Sequence, residues 1–250
     1  MLSAPITPQR WRIAGAMRFL FASISFCLMA LGQGAACAES IRDQEIAECR
    51  SGEIAVWNDG VDRPAIHSSL RIAYRHDDAP PWFDRSEVEA LVSRAANAWA
   101  GCGVPVVIVP DAQADPRLPG TVRVQWSEAG SRGNFGLSNL SARTLSLGPG
   151  AFALLRSRNP SYNAMQTLQM VLSHELGHFF GLMAHSRRCI DVLSYYHDGK
   201  GARCFTRDPA GIGAFVEYRH TLPTACDIER CRAVNGLPPL QKSTAPAGRR

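Results

Sequence analysis

At 250 residues the chain is long enough for one good core and a small appendage. Its apolar fraction, 46%, is ordinary for a globular protein, and a formal charge of +5 gives no case for nucleic acid as a partner. Three of the 27 basic residues, Arg10, Arg12 and Arg18, stand in residues 1–38, which hold no acid; the other 24 against 22 acidic residues leave a net +2.

Residues 1–38 read as a secretory signal peptide. A basic segment through Arg18 is followed by an apolar run from Phe19 to Leu31, and Ala36-Cys37-Ala38 supplies small residues for cleavage before Glu39. The run is too short to span a bilayer, so no stable membrane insertion is expected after cleavage. The mature chain is expected outside the cytoplasm, secreted or periplasmic, and as a monomer. It keeps six cysteines: Cys49, Cys102, Cys189, Cys204, Cys226 and Cys231. An even number in an exported chain points to disulfides. Cys189 with Cys204, which bracket one loop, is the preferred pair, and Cys49 with Cys102 is the guess for a second. Cys226 and Cys231 lie in a predicted helix that separates them by about 7.5 Å in rise, too far to bond each other.

Residues 39–67 form a mixed lead-in with the turn Asn58-Asp59-Gly60. Leu70 to Tyr74 alternates as a strand does. Ser86-Glu87-Val88-Glu89 has the form of a capping box, opening a helix with Val88, Leu91, Val92, Ala95 and Trp99 on one face. The β-branched run Val104 to Val109 predicts a buried strand, and Thr121 to Trp126 a third strand. Glu128 to Asn139, rich in glycine and serine, is expected to be an exposed loop. Arg143 to Leu147 predicts a short strand before Gly148-Pro149-Gly150. A helical pattern resumes after Pro160, with Met165, Leu168, Leu172, Leu176 and Phe179 on its buried face. Thr224 to Asn235 is a last helix, capped by Thr224 and Asp227, and residues 237–250 are a polar tail.

The chemistry is concentrated in His174-Glu175-Leu176-Gly177-His178. Histidines four apart share one helix face, one turn from each other, and neutral imidazoles there suit a zinc ion. Glu175 is then free to act as a base toward a zinc-bound water. Gly181 can take the conformation that ends the helix, and His185 follows as a third ligand, with Asp191 in reserve. Three protein ligands leave a fourth position open, as in a catalytic site. No acidic cluster forms a convincing calcium loop.

On these motifs the chain resembles the metzincin zinc metallopeptidases, most of all the matrixins and their bacterial relatives. The resemblance covers roughly residues 68–236 and rests on two stretches. One is HExxHxxG followed by histidine and serine, His174 to Ser186. The other is Asp191-Val192-Leu193-Ser194-Tyr195, which matches the family's turn beneath the zinc with Leu193 in place of the methionine. Leu182, Met183 and Ala184 stand between Gly181 and His185, one residue more than the family has. The resemblance implies an α+β fold: a small twisted mixed sheet packed on two long helices, with a C-terminal helix after the turn. It implies one catalytic Zn2+ on His174, His178 and His185, Glu175 as general base and Tyr195 as an oxyanion stabiliser. The implied function is exported zinc-dependent endopeptidase, hydrolysing a protein or peptide substrate that pairs along the strand from Arg143 to Leu147. The alternative is a zinc-binding or interaction protein on the same scaffold without turnover. Matrixins are held inactive by a propeptide cysteine; Cys49 is in place for that part or for a disulfide.

Overall fold

The computed structural model describes residues 39–240; the predicted signal peptide, residues 1–38, and the tail from residue 241 lie outside them. Five strands form one mixed sheet: β1 (Leu70–Arg75), β2 (Val106–Ile108), β3 (Thr121–Trp126), β4 (Gly136–Asn139) and β5 (Thr144–Leu147), in the order β2-β1-β3-β5-β4. All neighbours run parallel except β4, which is antiparallel to β5. Ile72 faces Val122 in register, and Val124 faces Leu145. These β-branched and leucine side chains are wholly buried, as expected of parallel strands covered by helices.

Six helices accompany the sheet among the described residues: α1 (Ile41–Ala47), α2 (Arg85–Trp99), α3 (Glu128–Ser131), α4 (Pro149–Arg158), α5 (Ala164–Phe179) and α6 (Ala225–Val234). The two long ones, α2 and α5, pack on each other, α2 against β1 and β2 and α5 against β4. Val88, Val92 and Trp99 from α2 join Leu168, Leu172 and Leu176 from α5 in the main core. The Trp99 indole Nε1 donates to the Ser173 carbonyl at 2.9 Å, so this large side chain is buried without an orphaned donor.

Several expectations need correction. Asp84, not Ser86, caps α2; its carboxylate accepts from the amides of Ser86 and Glu87. The Val104–Val109 run yields only the edge strand β2, with Val107 51% and Ile108 42% exposed, because no strand pairs beyond it. The stretch 128–139 is not a plain loop: it holds α3 and the other edge strand, β4. Pro149 opens α4, filling a first-turn position whose amide has no helical partner. The lead-in starts with a helix, α1, capped by Ser40.

Three disulfides close the fold: Cys189–Cys204, Cys49–Cys226 and Cys102–Cys231. The first is as expected, and Cys226 and Cys231 do take separate partners. The Cys49–Cys102 pairing is overturned, because α6 presents one cysteine to the lead-in and the other to the 3-10 turn Ala100–Cys102 that ends α2. Such bonds mark an oxidising, extracytoplasmic environment. No helix among the described residues is long and apolar enough to cross a membrane.

Candidate metal centre

Helix α5 carries the first two histidines. Asn163 caps its start by accepting from the Gln166 amide, and its whole second half is buried except His178. It stops at Phe180, and Gly181 takes φ +106°. A Cβ at Gly181 would lie 2.0 Å from the Arg63 carbonyl, so only glycine admits the lead-in segment that crosses here. His185 then returns toward α5. One ring nitrogen each of His174, His178 and His185 lies within 4.8 Å of the others.

The second nitrogen of each ring is occupied. His174 Nδ1 donates to the Val192 carbonyl at 2.8 Å, His178 Nδ1 to the Leu182 carbonyl at 2.7 Å, and His185 Nδ1 to the Asp59 carboxylate at 2.7 Å. Each partner only accepts, so each Nδ1 carries the hydrogen, and a ring without a second proton presents a lone pair at Nε2. The Nε2 atoms of His174 and His185 are 3.2 Å apart. Burial, then the neighbouring imidazoles, holds His174 well below its ordinary pKa; burial also lowers His185, against the pull of Asp59. Two lone pairs at that separation repel unless a cation lies between them. Ligands about 2.0–2.1 Å from a tetrahedral metal sit roughly 3.3 Å apart. The donor set and its outer hydrogen bonds therefore fit a divalent metal ion.

The segment just before His185 is held by the lead-in. Asp62 Oδ1 accepts from the Met183 and Ala184 amides at 2.8 and 3.0 Å, and Arg230 pairs with the same carboxylate at 2.6 Å. Two consecutive amides are thus satisfied immediately before His185. Asp191, the reserve ligand, is not in the cluster. Its buried carboxylate accepts from Ser186 Oγ, Arg188 Nη1 and Thr224 Oγ1, so it organises the turn instead. In that turn Leu193 is wholly buried against Gly177, where a Cβ would come within 2.8 Å of its Cδ2. Cys49, bonded to Cys226, is not available to a metal.

Glu175 sits beside the cluster, 9% exposed. Burial raises its pKa, while His178 and hydrogen bonds from Ser138 pull it back. The Ser138 hydroxyl also donates to the Glu175 carbonyl at 2.7 Å, tying β4 to α5. Tyr195 stacks on His185 with ring centroids 3.7 Å apart and is 44% exposed. A cleft of about 340 Å3 is lined by the three histidines, Glu175, Tyr195 and Gly136, Leu137 and Ser138 of β4. β5 is paired on both sides, so the strand bordering the cleft is β4 and not the Arg143–Leu147 segment.

Sequence reasoning did not find Asp59 and Asp62 as site residues. Asn58-Asp59-Gly60 signalled a turn, and nothing local signals that Asp59 reaches a histidine 126 positions on.

No family model matches the chain, and no curated protein matches it. Among solved structures the chain is similar to the "GM1 bound form of the ECX AB5 holotoxin", at 15% identity over 72% of this chain and 86% of that one, with a TM-score of 0.43. A likeness at that score carries no argument about function.

Proposed function

We propose that this protein is an extracytoplasmic zinc-dependent endopeptidase of the metzincin kind. One observation carries the reading. Three histidines, each with Nδ1 anchored to an acceptor, turn their Nε2 atoms toward one point beside a buried glutamate, on a cleft bordered by a free strand edge.

His174, His178 and His185 would hold the zinc. Bound there, zinc supplies Lewis acidity, making water acidic near neutral pH and polarising a carbonyl. The chain's own residues do the rest. An extended peptide adds to the edge of β4 by main-chain hydrogen bonds, which brings its carbonyl into the cleft. The Glu175 carboxylate takes a proton from the attacking water. It then passes that proton to the leaving amine nitrogen, whose expulsion it makes possible. The Tyr195 phenol offers an O–H to the oxygen on which negative charge develops.

Zinc content and cleavage of casein, measured together, test the proposal. The wild-type protein should hold one zinc and cleave; Glu175→Gln should keep the zinc and lose at least ~100-fold in kcat/KM, as loss of a general base does. Cleavage surviving intact in that variant refutes the mechanism, and a wild-type protein without zinc refutes the metal centre.

A further inference from the structure

The lead-in does more than precede the domain. Its residues 55–62 run along residues 183–187, the segment that carries His185. The Trp57 amide donates to the His185 carbonyl at 2.8 Å, and the Arg187 amide donates to the Ala55 carbonyl at 2.9 Å, with Val56 bridged antiparallel to Ser186. Trp57 is buried under the Arg187 guanidinium. At the far end of the strap, Asp62 holds the Met183 and Ala184 amides. A Cβ at Gly60 would fall 2.5 Å from the Met183 carbonyl, so the two segments are in backbone contact between those anchors. Asp59 stands at the middle of the strap. One carboxylate oxygen accepts from the His185 amide at 3.0 Å and the other from His185 Nδ1 at 2.7 Å.

We propose that Asp59 is a positioning residue for the third metal ligand: it fixes His185 in the tautomer and ring orientation that leave Nε2 free for the metal, and the strap 55–62 backs the segment that carries His185. The two helix histidines take the same service from backbone carbonyls, which no substitution removes. His185 alone depends on a side chain, because it lies past the helix on a segment with an extra residue. The inference rests on the metal-centre reading given above and adds a residue to it.

Asparagine separates orientation from mere packing. Asp59→Asn keeps the volume and, with its Oδ1, the bond from the His185 amide. It turns an NH2 toward Nδ1, which favours hydrogen on Nε2 and blocks the ligand atom. The experiment is zinc affinity of the chain from Glu39 onward, by competition with a chromophoric chelator, for wild type, Asp59→Asn, Asp59→Ala, His185→Ala and the Asp59→Asn/His185→Ala double variant. Each Asp59 variant should bind zinc ~10–100-fold more weakly, the usual cost of losing an outer-shell partner. The double variant should be no weaker than His185→Ala, because Asp59 acts only through His185. Wild-type affinity in the single variants overturns the proposal, as does a further loss in the double variant equal to that in the single. A second readout needs no variant to fold. Nitrogen-15 NMR of the metal-free wild type should show His185 hydrogenated at Nδ1; an Nε2–H tautomer overturns the proposal. A wild type that binds no zinc yet shows the Nδ1–H tautomer refutes the metal centre and leaves the Asp59–His185 pairing standing.

Discussion

A single missing side chain connects the core to the site. Gly177 lies in the last turn of α5, where glycine costs up to about 1 kcal/mol relative to alanine. It is there because two buried groups occupy the space a Cβ would need: Leu193 Cδ2 and Trp99 Cζ2, each at 2.8 Å from it. Both side chains are fully buried, and Trp99 is held by its bond to the Ser173 carbonyl. Leu193 is the more movable, but the preceding residue's carbonyl, on Val192, holds His174 Nδ1. Gly177→Ala is therefore expected to destabilise by about 1–3 kcal/mol despite the gain in helix propensity, since overpacking a closed core outweighs it. It should also weaken metal binding by moving the turn. Urea unfolding checks the first part, and an unchanged or raised midpoint would show that the turn yields without cost.

At the scale of elements, what sequence reveals is what is local. The periodic helices α2 and α5, the alternating strands β1 and β3 and the capping box of α6 are all legible, because each signal lies within a few residues. What was lost depends on neighbours. The Val104–Val109 run has the composition of a covered strand, and only the sheet order shows it to be an edge. β4 was hidden by its glycine; Gly136 leaves room for Val171 and Glu175, whose atoms lie 2.5 and 2.9 Å from where its Cβ would be. α4 was hidden because Gly148-Pro149-Gly150 resembles a break, although proline also starts helices. The histidines and Glu175 were legible as a motif; Asp59 and Asp62 were not, being contacts across more than 120 residues. The same holds for Cys49–Cys226, which closes a separation of 177 residues and pins α1 and the strap to α6. A loop that long makes its disulfide a large constraint on the unfolded chain, so Cys49→Ser/Cys226→Ser should lose about 2–5 kcal/mol. If the strap depends on the bond, limited proteolysis should also cut the variant first between α1 and β1. Equal resistance in both proteins would mean that the strap's hydrogen bonds suffice without it.

The molecule as a whole is joined by a buried charge network where the lead-in, the loop after the site and α6 meet. Arg188 is completely buried; it donates to Asp191 at 2.9 Å and to the Glu45 carbonyl at 2.6 Å, and lies 3.6 Å from Glu53. Arg207 grips both Glu53 oxygens, at 2.6 and 2.7 Å. Burial works to raise the Glu53 pKa, but Arg207, the Arg50 amide and Arg188 outweigh it and bring it down to about 2 from 4.5. A carboxylate that binds its proton less readily when folded adds stability at pH above its unfolded value. That contribution is lost as pH falls through the folded value. The stabilisation from Glu53 is therefore full above about pH 4.5 and fades between there and about pH 2. Other groups titrate over this range too, with Asp191 and Asp227 pushed up by burial, so the wild-type curve alone does not isolate Glu53. The difference from Glu53→Gln does. Glutamine keeps the shape and removes the charge, leaving Arg188 and Arg207 without their shared counter-ion. The gap in urea midpoint between the two proteins should be constant from pH 7 to about 4.5 and narrow steadily below it. A gap that stayed the same down to pH 3 would mean that the carboxylate contributes shape and hydrogen bonds, and that its charge is not what joins the lead-in to the rest of the chain.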